Sequence, residues 1–284
     1  MNKKITVVSV LILVIVGVVI CILLNLETVR ALSQKSVEIV EGAIGMRVNT
    51  SGPLRKEGDD AGSNLTVQGV IRETNRRRVE AGLPLLSENV LLDLSAQRKV
   101  DDMFKRQYFE HDAPTGESAG DLVVDAGYEF ITVGENLALG NYQNDMILVQ
   151  AWMDSPGHRE NILKNSYTEI GVAVARGMFE GKETWLAVQH FAKPLSDCPA
   201  INANLKSQID SHNSKIESMK SDLERRKIYL SEKPITQEEA SDYNRQVDEF
   251  NALVNEYNAL LSETRDFVSQ YNSQIQDFNS CAKE

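Results

Sequence analysis

The first feature of the hydrophobic pattern is a run without charge, residues 5–24, rich in Val, Ile and Leu. About 20 apolar residues at a rise of about 1.5 Å cover the roughly 30 Å core of a bilayer, so the run predicts a transmembrane helix. Irregular polar sequence follows, and helical spacing returns over residues 64–80, with Val67, Val70, Ile71 and Asn75 on one face and Gly82 just beyond the end. Residues 88–107 repeat the pattern with Leu92, Ala96, Val100, Met103 and Phe104, and shorter helices are predicted over 118–126 and 145–153. Residues 130–139, 170–175 and 184–191 read as strands, the last two joined by the 177–181 loop into a hairpin.

The last third changes period. Leu205, Ile209, His212, Ile216, Met219 and Leu223 step by four and three, as do Tyr243, Val247, Phe250, Val254, Tyr257, Leu261, Thr264, Val268, Tyr271, Ile275 and Phe278. This is a heptad seam. Pro234 interrupts it, and Thr236 with Glu239 forms a capping box that restarts it, so an antiparallel helical hairpin (a coiled coil within one chain) is expected over 199–281. His212 falls on the seam, where a polar residue sets register.

These elements predict an α+β protein: a small antiparallel sheet covered by helices on both faces, an N-terminal transmembrane helix and the C-terminal hairpin. The expected divisions are a cytoplasmic tail (1–4), a signal anchor (5–24), a stalk (25–63), a central domain (64–194) and the hairpin (199–281). Lys3 and Lys4 keep the N-terminus in the cytoplasm and place the body outside it. A cleaved signal peptide is the alternative, with Val29, Arg30 and Ala31 at a candidate site and a secreted body. The length of the apolar run favours the uncleaved anchor, since signal-peptide cores are roughly 7 to 15 residues.

The net charge is −11 and the pI near 5.0, which leaves no basic footprint for nucleic acid. The predicted partners are the membrane, through 5–24, and a protein partner or a second copy, through 199–281. Of three cysteines, Cys21 lies in the apolar run, whereas Cys198 and Cys281 flank the hairpin, and outside the cytoplasm these two are free to oxidise together. Asn49 and Asn64 head glycosylation-type triplets, and Asn64 also reads as a helix cap.

Candidate chemistry is concentrated in residues 109–191, which hold three of the four histidines. Four segments carry it: Phe109-Glu110-His111-Asp112, Gly134-Glu135-Asn136-Leu137, the stretch from Trp152 through Asp154, Ser155, Pro156, Gly157 and His158 to Arg159, and Val188-Gln189-His190-Phe191. Ser155 and Pro156 read as the cap and first residue of a helix. His158 then sits in the first turn, where the helix dipole disfavours imidazolium and favours the neutral ring that ligates metal or accepts a proton. His111 reads either as a cation at a helix C-terminus or as a cleft imidazole. His190 alternates with Val188 and Leu186 on one strand face, a packed position or an accessory one. No H-E-x-x-H, G-x-S-x-G or Walker motif occurs.

In order and spacing these four segments resemble the CAP superfamily (SCP/PR-1-like, CRISP-type), in particular its bacterial and archaeal branch. The resemblance covers residues 64–194. It implies an α-β-α sandwich and a cavity set of His111, Glu135 and His158, with Asp154 and His190 as accessory candidates. Many relatives carry a second glutamate three residues after the tryptophan, where this chain has Ser155. Three readings follow: an extracytoplasmic module whose cleft binds a small amphiphilic or cell-envelope ligand, a hydrolase using zinc or another divalent cation on His111, Glu135 and His158, and a structural surface protein acting through its hairpin. Two histidines and a carboxylate leave the open position that catalytic zinc sites use.

Overall fold

Local sequence signals set the ends of the helices. In the computed structural model, which describes residues 47–57, 62–232 and 240–283, helix α1 (Val67–Glu80) is capped by Thr66, whose hydroxyl accepts from Gly69 N at 3.0 Å. Thr66, not Asn64, is therefore the cap. Helix α2 (Val90–Arg106) is capped by Asn89 and ends on Gln107 in the left-handed region. Helix α3 (Ala119–Asp125) starts with a reciprocal Ser118–Asp121 capping box, α4 spans Asp145–Asp154, and α5 spans Pro156–Ile162. The expected span over 5–24 and the capping box at 236–239 lie outside the described residues. Among the described residues no helix is long and apolar enough to cross a membrane.

The sheet differs from the expected antiparallel one. It has six strands: β1 (Arg47–Thr50), β2 (Leu54–Arg55), β3 (Ser87–Glu88), β4 (Phe130–Leu139), β5 (Glu169–Phe179) and β6 (Lys182–Pro194). Their order is β1-β4-β6-β5-β3, with β2 also on β4, and the sheet is mixed. The β4, β5 and β6 core is antiparallel, but β1 and β2 run parallel to β4, and β3 runs parallel to β5. The extra strands are too short to carry an alternating pattern of their own. The β5–β6 strands also run further than their apolar cores, to a two-residue turn in which Glu180 (φ 50°) and Gly181 (φ 79°) both have positive φ. That geometry matches the twist of a tight hairpin.

Alternation along β4–β6 sends side chains to two layers. One face packs Val70, Ile71, Leu148, Trp152 and Ile162 on Ile170, Val172 and Phe191. The other packs Ala96, Val100 and Met103 of α2 on Leu137, Ala173, Leu186 and Val188. Helices thus cover both faces, as the periodicity predicts.

The described residues divide into two units, residues 47–198 together with the residues from Cys281 onward, and residues 199–280. The second unit consists of α6 (Ala203–Glu232) and α7 (Ala240–Lys283), which pack antiparallel. Leu205 and Ile209 cluster with Val268, Tyr271 and Ile275, while Leu223 and Leu230 cluster with Phe250, Val254 and Tyr257. His212 stacks on Phe267 and meets Thr264 Oγ1 at 3.2 Å, so the seam's polar position is matched by a polar partner. Within the first unit Cys198 and Cys281 form a disulfide across 83 residues of sequence, their Cα atoms 5.6 Å apart. Cys198 is extended (φ −99°, ψ 149°) after a short 3-10 turn, Leu195–Asp197.

Candidate functional site

Glu135 is the centre of the site. It sits in the middle of β4, directly across from His190 on β6, and is fully buried. His190 Nε2 donates to Oε2 at 3.0 Å, and His111 Nδ1 donates to Oε1 at 2.6 Å. Burial alone would raise this carboxyl, but the two imidazole hydrogen bonds and the nearby charges of His190 and Lys99 prevail and bring it down to about 2. A buried charge persists only when paired in this way.

His111 is fixed from both ends. Its Nδ1 faces the Glu135 carboxylate and its Nε2 faces the carbonyl of Ser51. A carboxylate and a carbonyl both accept, an environment that favours the doubly protonated ring. Burial pulls its pKa down, yet Glu135 and the Ser51 carbonyl win, and the net direction is up. Behind it the Lys99 ammonium, also buried, donates to the His111 carbonyl. Desolvation lowers the Lys99 pKa while Glu135, Asp102, Asp112 and Glu117 oppose the shift. His190 completes the set through Ser95, whose Oγ lies 2.7 Å from its Nδ1.

His158 approaches from α5, and none of the hydrogen bonds to the Glu135 carboxylate described above comes from it. Ser155 occupies the N-cap position of that helix, but its hydroxyl does not cap the backbone; it meets His158 Nδ1 at 2.8 Å. His158 Nε2 is buried and has no hydrogen-bond partner among the described residues. Burial, and then the charge on His111, push this ring down to about 4, with the nearby Leu137 carbonyl opposing them. The ring is neutral at pH 7. Asp154 is exposed and accepts from Gln150 at 2.7 Å, away from the cluster.

The structure therefore brings His111, Glu135 and His190 into contact, places His158 near His111, and leaves Asp154 outside. As a metal site the set His111, Glu135, His158 does not fit this conformation. Both nitrogens of His111 and both oxygens of Glu135 are already engaged, and among the described residues no group of three or more His, Cys, Asp or Glu is arranged to hold an ion.

Several participants escaped the sequence reading. On the opposite face of β4, Asn136 donates to the His158 carbonyl (3.2 Å) and to Gln189 (3.1 Å), and Gln189 donates to Thr74 at 2.7 Å. Asn161 donates to the Glu135 carbonyl and to Asn136, both at 3.1 Å. This amide chain holds α5, and with it His158, against β4. The signal was present, since Asn136 adjoins Glu135 and Asn161 follows His158 by three residues, but amides carry no charge to draw attention.

Residues 71–191 match the CAP family, described as the cysteine-rich secretory protein family. The protein YkwD of Bacillus subtilis (strain 168), itself uncharacterized, is 39% identical over 116 residues, 41% of this chain and 43% of its own length. The uncharacterized membrane protein YlbC of the same organism is 34% identical over 103 residues, 36% of this chain and 30% of its own. The chain thus spans less than half of either relative. Among solved structures, an extracellular protein containing a SCP domain from Bacillus anthracis str. Ames is 30% identical, with 45% of this chain and 40% of that one aligned at a TM-score of 0.39.

Proposed function

We propose, from the premise that this chain is a CAP-superfamily protein of the bacterial type, that it acts outside the cytoplasm as a binding module whose cleft takes a small amphiphilic or cell-envelope ligand. The observation that carries this reading is the state of Glu135. An ionised carboxylate with a pKa of about 2 and a histidine on each oxygen is a poor general base at neutral pH. It serves better as a fixed anchor for His111. His158 instead offers a neutral imidazole whose buried Nε2 makes no full hydrogen bond among the described residues and lies near the Leu137 carbonyl, so a ligand's polar head that reached it would add one. Beside α5 a shallow depression lined by Met153, Pro156, Leu163, Arg159, Asp154 and Glu160 combines apolar and charged groups, which suits an amphiphile.

Titration of the full chain carrying Trp185→Phe with a long-chain fatty acid and with soluble cell-wall fragments, followed by Trp152 fluorescence, tests the reading. Trp152 is buried against Leu137 and reports on this region. A saturable change that is lost in His158→Phe is expected; no change with either probe would remove the binding module.

The second reading, a metal-dependent hydrolase, would require His111 and Glu135 to leave the partners described above and join His158, whose neutral imidazole is the ligating form. Elemental analysis with and without chelator separates the two. About one ion per chain, lost in the His111→Ala/His158→Ala double variant, supports the hydrolase. Anchoring through residues 5–24 belongs to the same proposal, as does self-association through the α6–α7 hairpin. Protease added to intact cells should reach the central domain, and protection of that domain would sink the extracytoplasmic placement. Sedimentation of the full chain and of a Leu261→Ala variant tests the self-association.

A further inference from the structure

The outer edge of β4 is covered by the chain itself. Residues 47–50 pair with 132–135 and residues 54–55 with 138–139, both parallel. Between the two ladders three residues, Ser51, Gly52 and Pro53, stand against only Asn136 and Leu137, so the segment bulges there. The bulge lies at the histidine cluster and carries the Ser51 carbonyl to His111 Nε2. Pro53 has no N–H and demands no ladder partner at that point.

The surface under this segment is recessed to admit it. A Cβ on Gly120 would come 2.9 Å from Val48 Cγ2, one on Gly157 2.7 Å from Ser51 Cβ, and one on Gly140 2.6 Å from the Lys56 carbonyl. These glycines come from α3, α5 and the end of β4, and they follow one path. Gly140 has a backbone reason of its own (φ 139°), but Gly157 lies in a helix with no positive φ. Glycine in a helix is less favourable than alanine by up to about 1 kcal/mol, so its place here is explained by the strand that crosses it.

The segment is held by its backbone pairing together with a few side chains, among them half-buried Leu54 against the core and Lys56, whose Nζ donates to the Asn141 carbonyl at 2.9 Å. Among residues 48–57 no side chain is buried, whereas nine of the ten residues of β4 beneath them are. The main side-chain anchor is Asn49, whose amide donates to Thr132 Oγ1 (3.1 Å), the Val133 carbonyl (3.3 Å) and Tyr167 Oη (3.2 Å). Backbone pairing with one or two side-chain pockets is how strand addition recognises an extended peptide.

We propose that the outer edge of β4 is a binding site for an extended polypeptide strand, that residues 47–57 of this chain are its resident ligand, and that His111 becomes available to other ligands only when that strand leaves. The preferred strand has an amide side chain at the position of Asn49 and a small residue two places later, where Gly157 leaves room for little more than Ser51. The inference stands whatever the cleft binds, because it rests on the pairing and the glycine path.

The probe is a fluorescent synthetic peptide with the sequence of residues 47–57, added to the full chain. Asn49→Ala weakens the resident strand, so this variant should capture the peptide at least tenfold more tightly than the wild type, whose site is filled. A peptide carrying the same Asn49→Ala change should not be captured, and adding Gly157→Ala to the weakened chain should abolish capture. Backbone hydrogen exchange at 47–57 should rise at least tenfold in either single variant, with residues 185–192 of the core unchanged. Equal capture by wild type and Asn49→Ala, or no capture by either, would overturn the proposal. So would unchanged exchange at 47–57 in Gly157→Ala, and that measurement decides the matter if Asn49→Ala disturbs the core.

Discussion

Glu135 and His190 face one another across β4 and β6, and the imidazole donates to the carboxylate at 3.0 Å inside the sheet. A cross-strand pair of this kind has no water to fall back on, so its charge must be balanced within the domain. Replacing the carboxylate by its neutral isostere shows how much rests on the balance. In Glu135→Gln the amide NH2 points at one of two imidazole donors, leaving a buried donor unsatisfied and His111 without its counter-ion. A loss of about 1–3 kcal/mol is expected in the chemical unfolding of the central domain. Glu135→Ala should cost more, about 3–5 kcal/mol, as for any buried pair stripped of one member.

The pH dependence has three parts with different signs. Glu135 is depressed, so its stabilisation is present above about 4.5 and is lost as pH falls toward about 2. His111 is raised, so its stabilisation is complete below 6.5 and is lost as pH rises through its folded value. His158 is depressed to about 4, so the folded domain resists the proton that the unfolded chain accepts, and stability falls between 6.5 and 4. Glu135, the Ser51 carbonyl and Lys99 face His111, and His111 in turn repels a charge on His158. At full effect the His158 part amounts to about 3 kcal/mol. His158→Gln should flatten the profile between pH 6.5 and 4 and leave the acid limb governed by Glu135 in place. An unchanged slope in that interval would show that His158 is not buried neutral.

The elements with strong periodicity were legible in the sequence, and those without it were not. α1 and α2 bury one face each, so their apolar residues recur at 3.6, and β4–β6, covered on both faces, show as apolar runs bounded by turn residues. The segment over residues 48–57 buries no side chain fully and pairs largely through its backbone, which leaves little hydrophobic signature to read. The mixed character of the sheet was hidden for the same reason. At the site, His111, Glu135 and His158 were singled out, but the second imidazole that folding gives Glu135 beside His111 is His190, which looked like a packed residue of an apolar strand. Ser155 was read as a backbone cap, yet its hydroxyl turned to His158. Spacing gives the side of a strand or helix, not the partner that waits there.

The disulfide closes a loop containing the whole hairpin. Cys198 and Cys281 are 83 residues apart in sequence, and a cross-link of that span removes much of the freedom of the unfolded chain. On the chain-entropy account its loss costs about 2–5 kcal/mol. Cys198→Ser with Cys281→Ser should lower the denaturation midpoint accordingly, and added reductant should shift the wild type to the same place. A wild type insensitive to reductant would mean that the bond is not formed in the purified chain.

The hairpin offers a separate test of packing. Leu261 and Val254 are buried in the cluster that also holds Ile216, Met219 and Leu223 of α6. Truncating a large buried side chain leaves a cavity that neighbouring helices fill only in part, and the usual loss is about 2–5 kcal/mol. Val254→Ala removes fewer atoms and should fall near the lower end, with Leu261→Ala well above it. Both should act on the unfolding of the helical pair, followed by circular dichroism, and leave unchanged the hydrogen exchange of β4 around Glu135. If the Leu261→Ala change were no larger than that of an exposed α7 position such as Ser262, the two helices would not be packed along this seam.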